Sequence, residues 1–248
     1  MSGFVAVYKR EMLSLWVTPL AWVLLIVFLL LQGYSFYSIV LHFSQVSQLS
    51  LDTGPVQAYF GQSIFLPLLL LMLCPALTMR VFAEERRSGT IESLLTAPVT
   101  PTAVVLAKYL ATLTTYVAIW APTLLYVIIL RKTGHIDWHV VGSSYVGVIG
   151  IGAGYLAVGT LMSAMTKSQV LALLFTILAL VGLFIIGIGE YIFEPGLMHD
   201  ICAHVSAFSQ LDEMSKGIVD LRRLVFDASL VALPLFVTTR VVDSWRWG

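Results

Sequence analysis

Glu84-Glu85-Arg86-Arg87 is a run of four consecutive charges in a chain of 248 residues that is 58% apolar and only 11% charged. Just behind it, Ile91, Leu94 and Leu95 fall at i, i+3 and i+4, so a helix there has one oily face. A solvated loop is a poor use for such a segment, because it needs the charges but not the oily face. Docking is a better one: the charges hold the segment in water or headgroups, because a single Arg or Asp at mid-bilayer costs ~2.5–3.5 kcal/mol. Fully burying each apolar side chain of the stripe returns roughly 1.5–3 kcal/mol. Three occupants remain open from periodicity: the headgroup layer, the chain's own helices, or a cytoplasmic partner.

Other candidate chemistry is thinner. His135-x-Asp137-x-His139 would offer metal ligands if extended, but it reads first as a wet connection between helices. His199, Asp200 and His204 read the same way. No HExxH, GxSxG or GxSG pattern occurs, so protease or acyltransferase chemistry has no support. No GxxxxGK[ST] pattern occurs either, so the chain has no P-loop of its own. We therefore expect no catalytic residue, no metal and no cofactor in this chain. Cys74 and Cys202 form no CxxC and are expected to be unpaired.

The elements that must position the charged run are membrane helices. Mean hydropathy is +0.91, and a span needs ~20 apolar residues. Six runs qualify: about Pro19–Val40, Tyr59–Val81, Pro101–Leu130, Val140–Met165, Val170–Gly189 and Leu224–Arg240. The first is too long for a cleaved signal core and is expected to be retained. Thr18-Pro19 and Thr100-Pro101 each place an N-cap before a proline that suits the first turn. Pro67 and Pro75 predict kinks in the second span. Residues 2–15 predict a short amphipathic helix, with Phe4, Val5, Tyr8, Met12 and Leu15 opposite Lys9, Arg10 and Glu11. Gly150-xxx-Gly154 predicts close helix packing. Within 190–221, apolar residues recur every three or four positions from Leu197 to Leu221, which predicts one or two amphipathic helices after a turn at Glu194-Pro195-Gly196. The fold class is thus all-α: a single polytopic domain over 1–248, with an interfacial helix at 2–15, a cytoplasmic segment at 82–99 and an extracytoplasmic helical segment at 190–221.

Six spans put both termini on one side. That side carries Lys9, Arg10, Arg80, Arg86, Arg87, Lys108, Lys167, Arg240 and Arg246, whereas the other carries only Arg131, Lys132, Lys216, Arg222 and Arg223. The positive-inside rule makes the side with more Lys and Arg cytoplasmic. A net charge of zero suggests no nucleic-acid partner.

The stretch PALTMRVFAEERRSGTIESLLTAPVTPTAVVLAKYLA resembles the signature of type-2 ABC transporter permeases, in particular the gliding-motility (GldF-like) and nitrous-oxide-cluster (NosY-like) types. YKREMLSLWVTPLAWVLLIVFLLLQGYSF resembles the N-terminal helix and first span of that family, and FSQLDEMSKGIVDLRRLVF its outer segment before the last span. Together they cover about a third of the chain. The resemblance implies that Gly89–Ala97 is the coupling helix that docks on a separate ATPase. Glu85, Gly89, Thr90, Glu92, Leu95 and Pro98 match the family pattern. Gly89 would set the bend, Ile91, Leu94 and Leu95 the apolar contact, and Glu85, Arg86, Arg87 and Glu92 the charged rim. It further implies an exporter in a bacterial or archaeal cell (inner) membrane, with two ABC ATPase subunits that bind ATP and Mg. A second permease, identical or related, membrane lipids and a periplasmic partner complete the expected surroundings. The alternatives are a mechanotransmission module that moves no substrate, and a membrane scaffold or intramembrane enzyme.

Overall fold

The computed structural model describes residues 3–45, 54–63, 65–90, 99–133 and 137–245. Ile91, Glu92, Leu94, Leu95 and Pro98 lie outside them, as does His135.

Among the described residues every regular element is a helix. The chain opens with α1 (Gly3–Val17) and α2 (Pro19–Gln45), followed by the short α3 (Pro55–Phe60). Next come α4 (Phe65–Thr78), α5 (Ala83–Ser88), α6 (Pro101–Trp120) and α7 (Leu124–Thr133). The chain closes with α8 (Trp138–Met165), α9 (Gln169–Ile188), α10 (Leu197–Val205), α11 (Ala207–Ser215) and α12 (Leu221–Ser244). Six stretches are long and apolar enough to cross a bilayer: Pro19–Gln45, Phe65–Ser88, Pro101–Arg131, Trp138–Met165, Gln169–Tyr191 and Leu221–Ser244.

Several boundaries differ from the sequence reading for physical reasons. The second span starts at Phe65, not Tyr59. Tyr59 sits in α3, a separate six-residue helix with Pro55 in its first turn. Pro67 falls in the first turn of α4, where a missing N–H has no intrahelical partner to lose, and only Pro75 interrupts that helix. Pro122 converts residues Ala121–Thr123 to a tighter 3-10 turn between α6 and α7. α12 outruns its expected span at both ends; its early start is set by Asp220, which caps it by accepting from the Arg222 N–H at 2.9 Å.

The core is built around α8 and α4, whose span windows are each 67% buried, whereas α2, α9 and α12 expose most of their apolar surface. α8 gains its central place from glycine. A Cβ on Gly150 would stand 2.5 Å from Asp227 Oδ2, and one on Gly154 would stand 2.7 Å from Leu230 Cδ2. The predicted small-residue face is therefore the seam along which α8 and α12 close. Cys74 and Cys202 are both buried free thiols.

Candidate coupling site

The charged run forms α5, and α5 is fastened on several sides. Its entry is held by Ser163 of α8, whose Oγ accepts from the Phe82 N–H at 3.1 Å and from the Ala83 N–H at 3.2 Å, while donating to Met79 O at 3.2 Å. These are N–H groups that a helix start leaves without an intrahelical partner. One buried hydroxyl from a neighbouring span satisfies two of them. Arg86 donates to Ala164 O at 2.8 Å, and its guanidinium lies 4.6 Å from the centre of the Trp245 ring, which follows α12. Glu84 accepts from Gln169 at the start of α9.

The fourth side is an ion cluster. Lys108, in the second turn of α6, is 1% exposed. Its ammonium lies 2.8 Å from Glu11 of α1 and 3.1 Å from Glu85, donates to Val81 O at 2.8 Å, and sits 5.2 Å from the centre of the Phe82 ring. Arg10 completes the cluster by bridging Glu11 and Glu85. Two cations thus face two anions, which is the condition for keeping charge out of water. Burial pushes the Glu11 carboxyl up, but Lys108 and Arg10 override that and hold it below its ordinary value. A cleft of about 300 Å³ opens beside the cluster, between α1, α5 and α6.

The sequence reading placed Glu11 opposite the apolar face of the N-terminal helix and counted Lys108 among the positive charges of the cytoplasmic side. Both are turned inward. Tyr8 fixes the same packing by donating to Thr114 Oγ1 of α6 at 3.0 Å. One signal was present: Lys108 is an isolated charge among the apolar residues of α6, and a charge so placed needs a partner.

Of the predicted site residues, Glu85 and Arg86 are engaged within the chain, as described. Arg87, Gly89 and Thr90 are exposed. Gly89 has φ +73° and ends α5 in the left-handed region, which glycine enters without steric cost. Ser88 Oγ and Thr90 Oγ1 are 2.9 Å apart across the bend. The chain returns at Val99, against the start of α1: a Cβ on Gly3 would stand 2.5 Å from Val99 Cγ2. Thr100 then caps α6 by accepting from the Ala103 N–H at 3.3 Å. The Thr90 end of the 91–98 segment therefore lines the cleft beside the ion cluster, and the Val99 end meets the start of α1.

A family model for ABC-2 family transporter proteins matches residues 44–208. The chain belongs to this family. No curated protein matches it. The match takes in α5 and the second through fifth spans, and with the six apolar helices it makes the chain a multi-pass membrane permease of an ABC transporter. Membrane subunits of this family work with ABC ATPase subunits, and in this chain α5 and the bend at Gly89 form an elbow at one end of the permease.

A second buried polar network lies at the opposite end of the permease, and sequence reasoning missed it. Arg223 and Asp227 of α12 are each 5% exposed. Arg223 grips Glu213 of α11 with two bonds of 2.7 and 2.8 Å, and donates to Ala203 O at 2.6 Å and Ser209 Oγ at 2.9 Å. Asp227 accepts from Gln210 at 2.6 Å. The apolar stripe foretold α10 and α11. The legible sign of the clasp was the spacing of Arg223 and Asp227, i and i+4 on one helix face, opposite Gln210 and Glu213. Asp137 caps α8, accepting from the His139 N–H at 2.8 Å, and no described group of His, Cys, Asp or Glu is placed to hold a metal.

Proposed function

We propose that this permease is the membrane subunit of an exporter of the gliding-motility type, driven by two separate ATPase subunits through residues 89–97. The observation that carries the reading is the fastening of α5. The segment expected to dock on the ATPase leaves from a bend at Gly89. The helix before that bend is joined to α1, α6, α8, α9 and the end of α12 by Glu85, Arg86, Glu84 and the Ser163 cap. A push on a loop would dissipate. A push on this helix is delivered to every span that touches it, as rigid-body switching requires.

The roles divide accordingly. Ile91, Leu94 and Leu95 supply the apolar docking face, with Arg87 and Glu92 on its rim. Gly89 sets the angle. Glu85 and Arg86 pass the motion inward rather than contacting the ATPase. ATP and Mg belong to the partner, which binds on the side where both termini lie, the cytoplasmic face of a bacterial or archaeal inner membrane. Two permeases, identical or related, enclose the path.

The test is the double substitution Leu94→Asp and Leu95→Asp in the full assembly. The expected result is correctly inserted permease that no longer co-purifies with its ATPase. Retained association and retained transport would refute the assignment. Substrate-stimulated ATPase activity in liposomes separates an exporter from a module that only transmits motion.

A further inference from the structure

Asp227 is a carboxyl inside the last span and is 5% exposed. Among the described residues it joins no ion pair. Arg223, one turn earlier on α12, commits its guanidinium to Glu213, Ala203 O and Ser209 Oγ. The bond that reaches Asp227 comes from a neutral amide, Gln210 Nε2, at 2.6 Å. α8 closes the Oδ2 side, where a Cβ on Gly150 would stand 2.5 Å from that oxygen.

Few polar groups face this carboxyl from the helices around it. α12 brings Arg223, and α11 brings Gln210 and, through Arg223, Glu213. α8 brings Tyr155, while α9 and α10 bring the apolar Leu183 and Val205. The neighbouring titratable groups of those elements are placed elsewhere: His204 of α10 lies 2.9 Å from Asp200 O, Asp212 of α11 pairs with Lys216, and Glu190 lies past the end of α9. The buried cluster thus holds one cation and two carboxyls. Arg223 balances Glu213 and leaves an ionised Asp227 without a counter-charge.

An unpaired carboxylate taken out of water is heavily penalised. The neutral acid keeps the Gln210 bond and adds a donor of its own. A cavity of about 10 Å³ beside it, lined by Asp227, Gln210 and Tyr155 among apolar side chains, has room for about one water. Such a water can accept the acid proton and carry it away. Ionisation would act on the packing in a definite direction. The new charge attracts Arg223 or further water; the first breaks the grip on Glu213, and the second parts α11 from α12. An asparagine would make the same contact with Gln210, so what the carboxyl adds is the ability to let a proton go.

We propose that Asp227 is a proton-binding site, held as the neutral acid while α11 is clasped to α12, and that release of the proton opens the clasp. This concerns the permease alone and does not rest on the coupling reading above. The closed clasp holds one proton more than the open one, so closure weakens as pH rises, and the opening equilibrium grows by up to about tenfold per pH unit. Protonating Glu213 would open the clasp with the opposite sign.

The test uses the full chain in lipid nanodiscs between about pH 5 and about pH 9, as the parent and as Asp227→Asn, which keeps the shape of the acid but does not titrate. One measurement is the infrared C=O band of protonated carboxyls. The other is hydrogen exchange of the α11 amides, corrected for intrinsic base catalysis. The parent should carry a neutral-carboxyl band that Asp227→Asn lacks. That band should fade as pH rises, and α11 exchange in the parent should accelerate as it fades. In Asp227→Asn the corrected exchange should stay flat over the same range. Absence of the difference band at every pH overturns the proposal, and so does α11 exchange that rises equally in the two proteins.

Discussion

Replacing Lys108 by Met asks whether the ion cluster holds the elbow. Methionine keeps the length and packing of the side chain but removes the ammonium that lies 2.8 Å from Glu11 and 3.1 Å from Glu85. Two carboxylates then face each other with Arg10 as their remaining cation. Breaking a fully buried pair costs about 3–5 kcal/mol. Glu11 and Glu85 keep 15% and 16% of their side-chain surface, so water offsets part of that, and the expected loss is about 2–3 kcal/mol. For a chain of this size that lowers the melting midpoint by about 5–10 °C. The assay is thermal unfolding in mild detergent, followed by size-exclusion of the surviving protein. The companion is the triple variant Lys108→Met, Glu11→Gln, Glu85→Gln, in which no buried charge is stranded. It should recover most of the loss, since replacing a whole buried ion pair is often neutral whereas breaking one is not. In the assembled transporter, Lys108→Met should also lower ATPase-driven transport more than ATPase binding. A midpoint within about 2 °C of the parent, or a triple variant as unstable as the single one, would refute the reasoning.

Three further outcomes follow from the same site. Gly89→Ala should cost about 1 kcal/mol from the backbone alone, because its φ is +73° and no atom of the described residues lies within 4 Å of the added Cβ; Gly89→Asn should recover part of it, as read by thermal midpoint and transport rate. Ser163→Ala strands the Phe82 and Ala83 N–H groups and should cost about 1–3 kcal/mol, with faster hydrogen exchange confined to the entry of α5. Glu11 has a folded value below its ordinary 4.5, so its ionised form stabilises the packing of α1 above pH 4.5, and that stabilisation fades as pH falls through the lower folded value. The midpoint of the parent should therefore drop on acidification below pH 4.5, and Glu11→Gln, which has nothing to titrate there, should drop less; equal slopes would count against the cluster.

Much of the fold was legible because lipid as solvent leaves few choices. Apolar runs of ~20 residues become helices, and the caps at Thr100 and the seam at Gly150 and Gly154 follow from local chemistry. The second span misled at Tyr59 for an equally physical reason. Tyr59 and Phe60 are apolar enough to extend a span, but Gly61 sits against Ser215 and Asp212 of α11, where a Cβ would stand 2.2 Å from Ser215 Oγ. That approach comes from tertiary packing and leaves no periodicity in the sequence. The candidate site divides in the same way. The bend at Gly89 is local and was readable. The inward turn of Glu11, Glu85 and Arg86 depends on residues 75 to 97 positions away, a pairing that periodicity along one segment does not encode.

α8 joins the two polar networks. Near its elbow end, Ser163 caps α5 and Ala164 accepts from Arg86. Near its other end, Ser143 donates to Met214 O of α11 at 2.7 Å, and Gly150 lies against Asp227 of the outer clasp. Between them runs an unbroken helix of 28 residues, about 42 Å long, with close-packed neighbours over most of its surface. A helix held at both ends by buried hydrogen bonds does not bend under a small push; it moves with what it holds. Displacing α5 therefore displaces α11 unless a bond at one end breaks first. In the proposed coupling, each bond on this route is a separate place to interrupt transmission without touching the proposed docking face, and Ser143→Ala tests the far end. It should leave ATPase association intact while uncoupling hydrolysis from transport, and a variant that transports like the parent would show that the push travels by another helix.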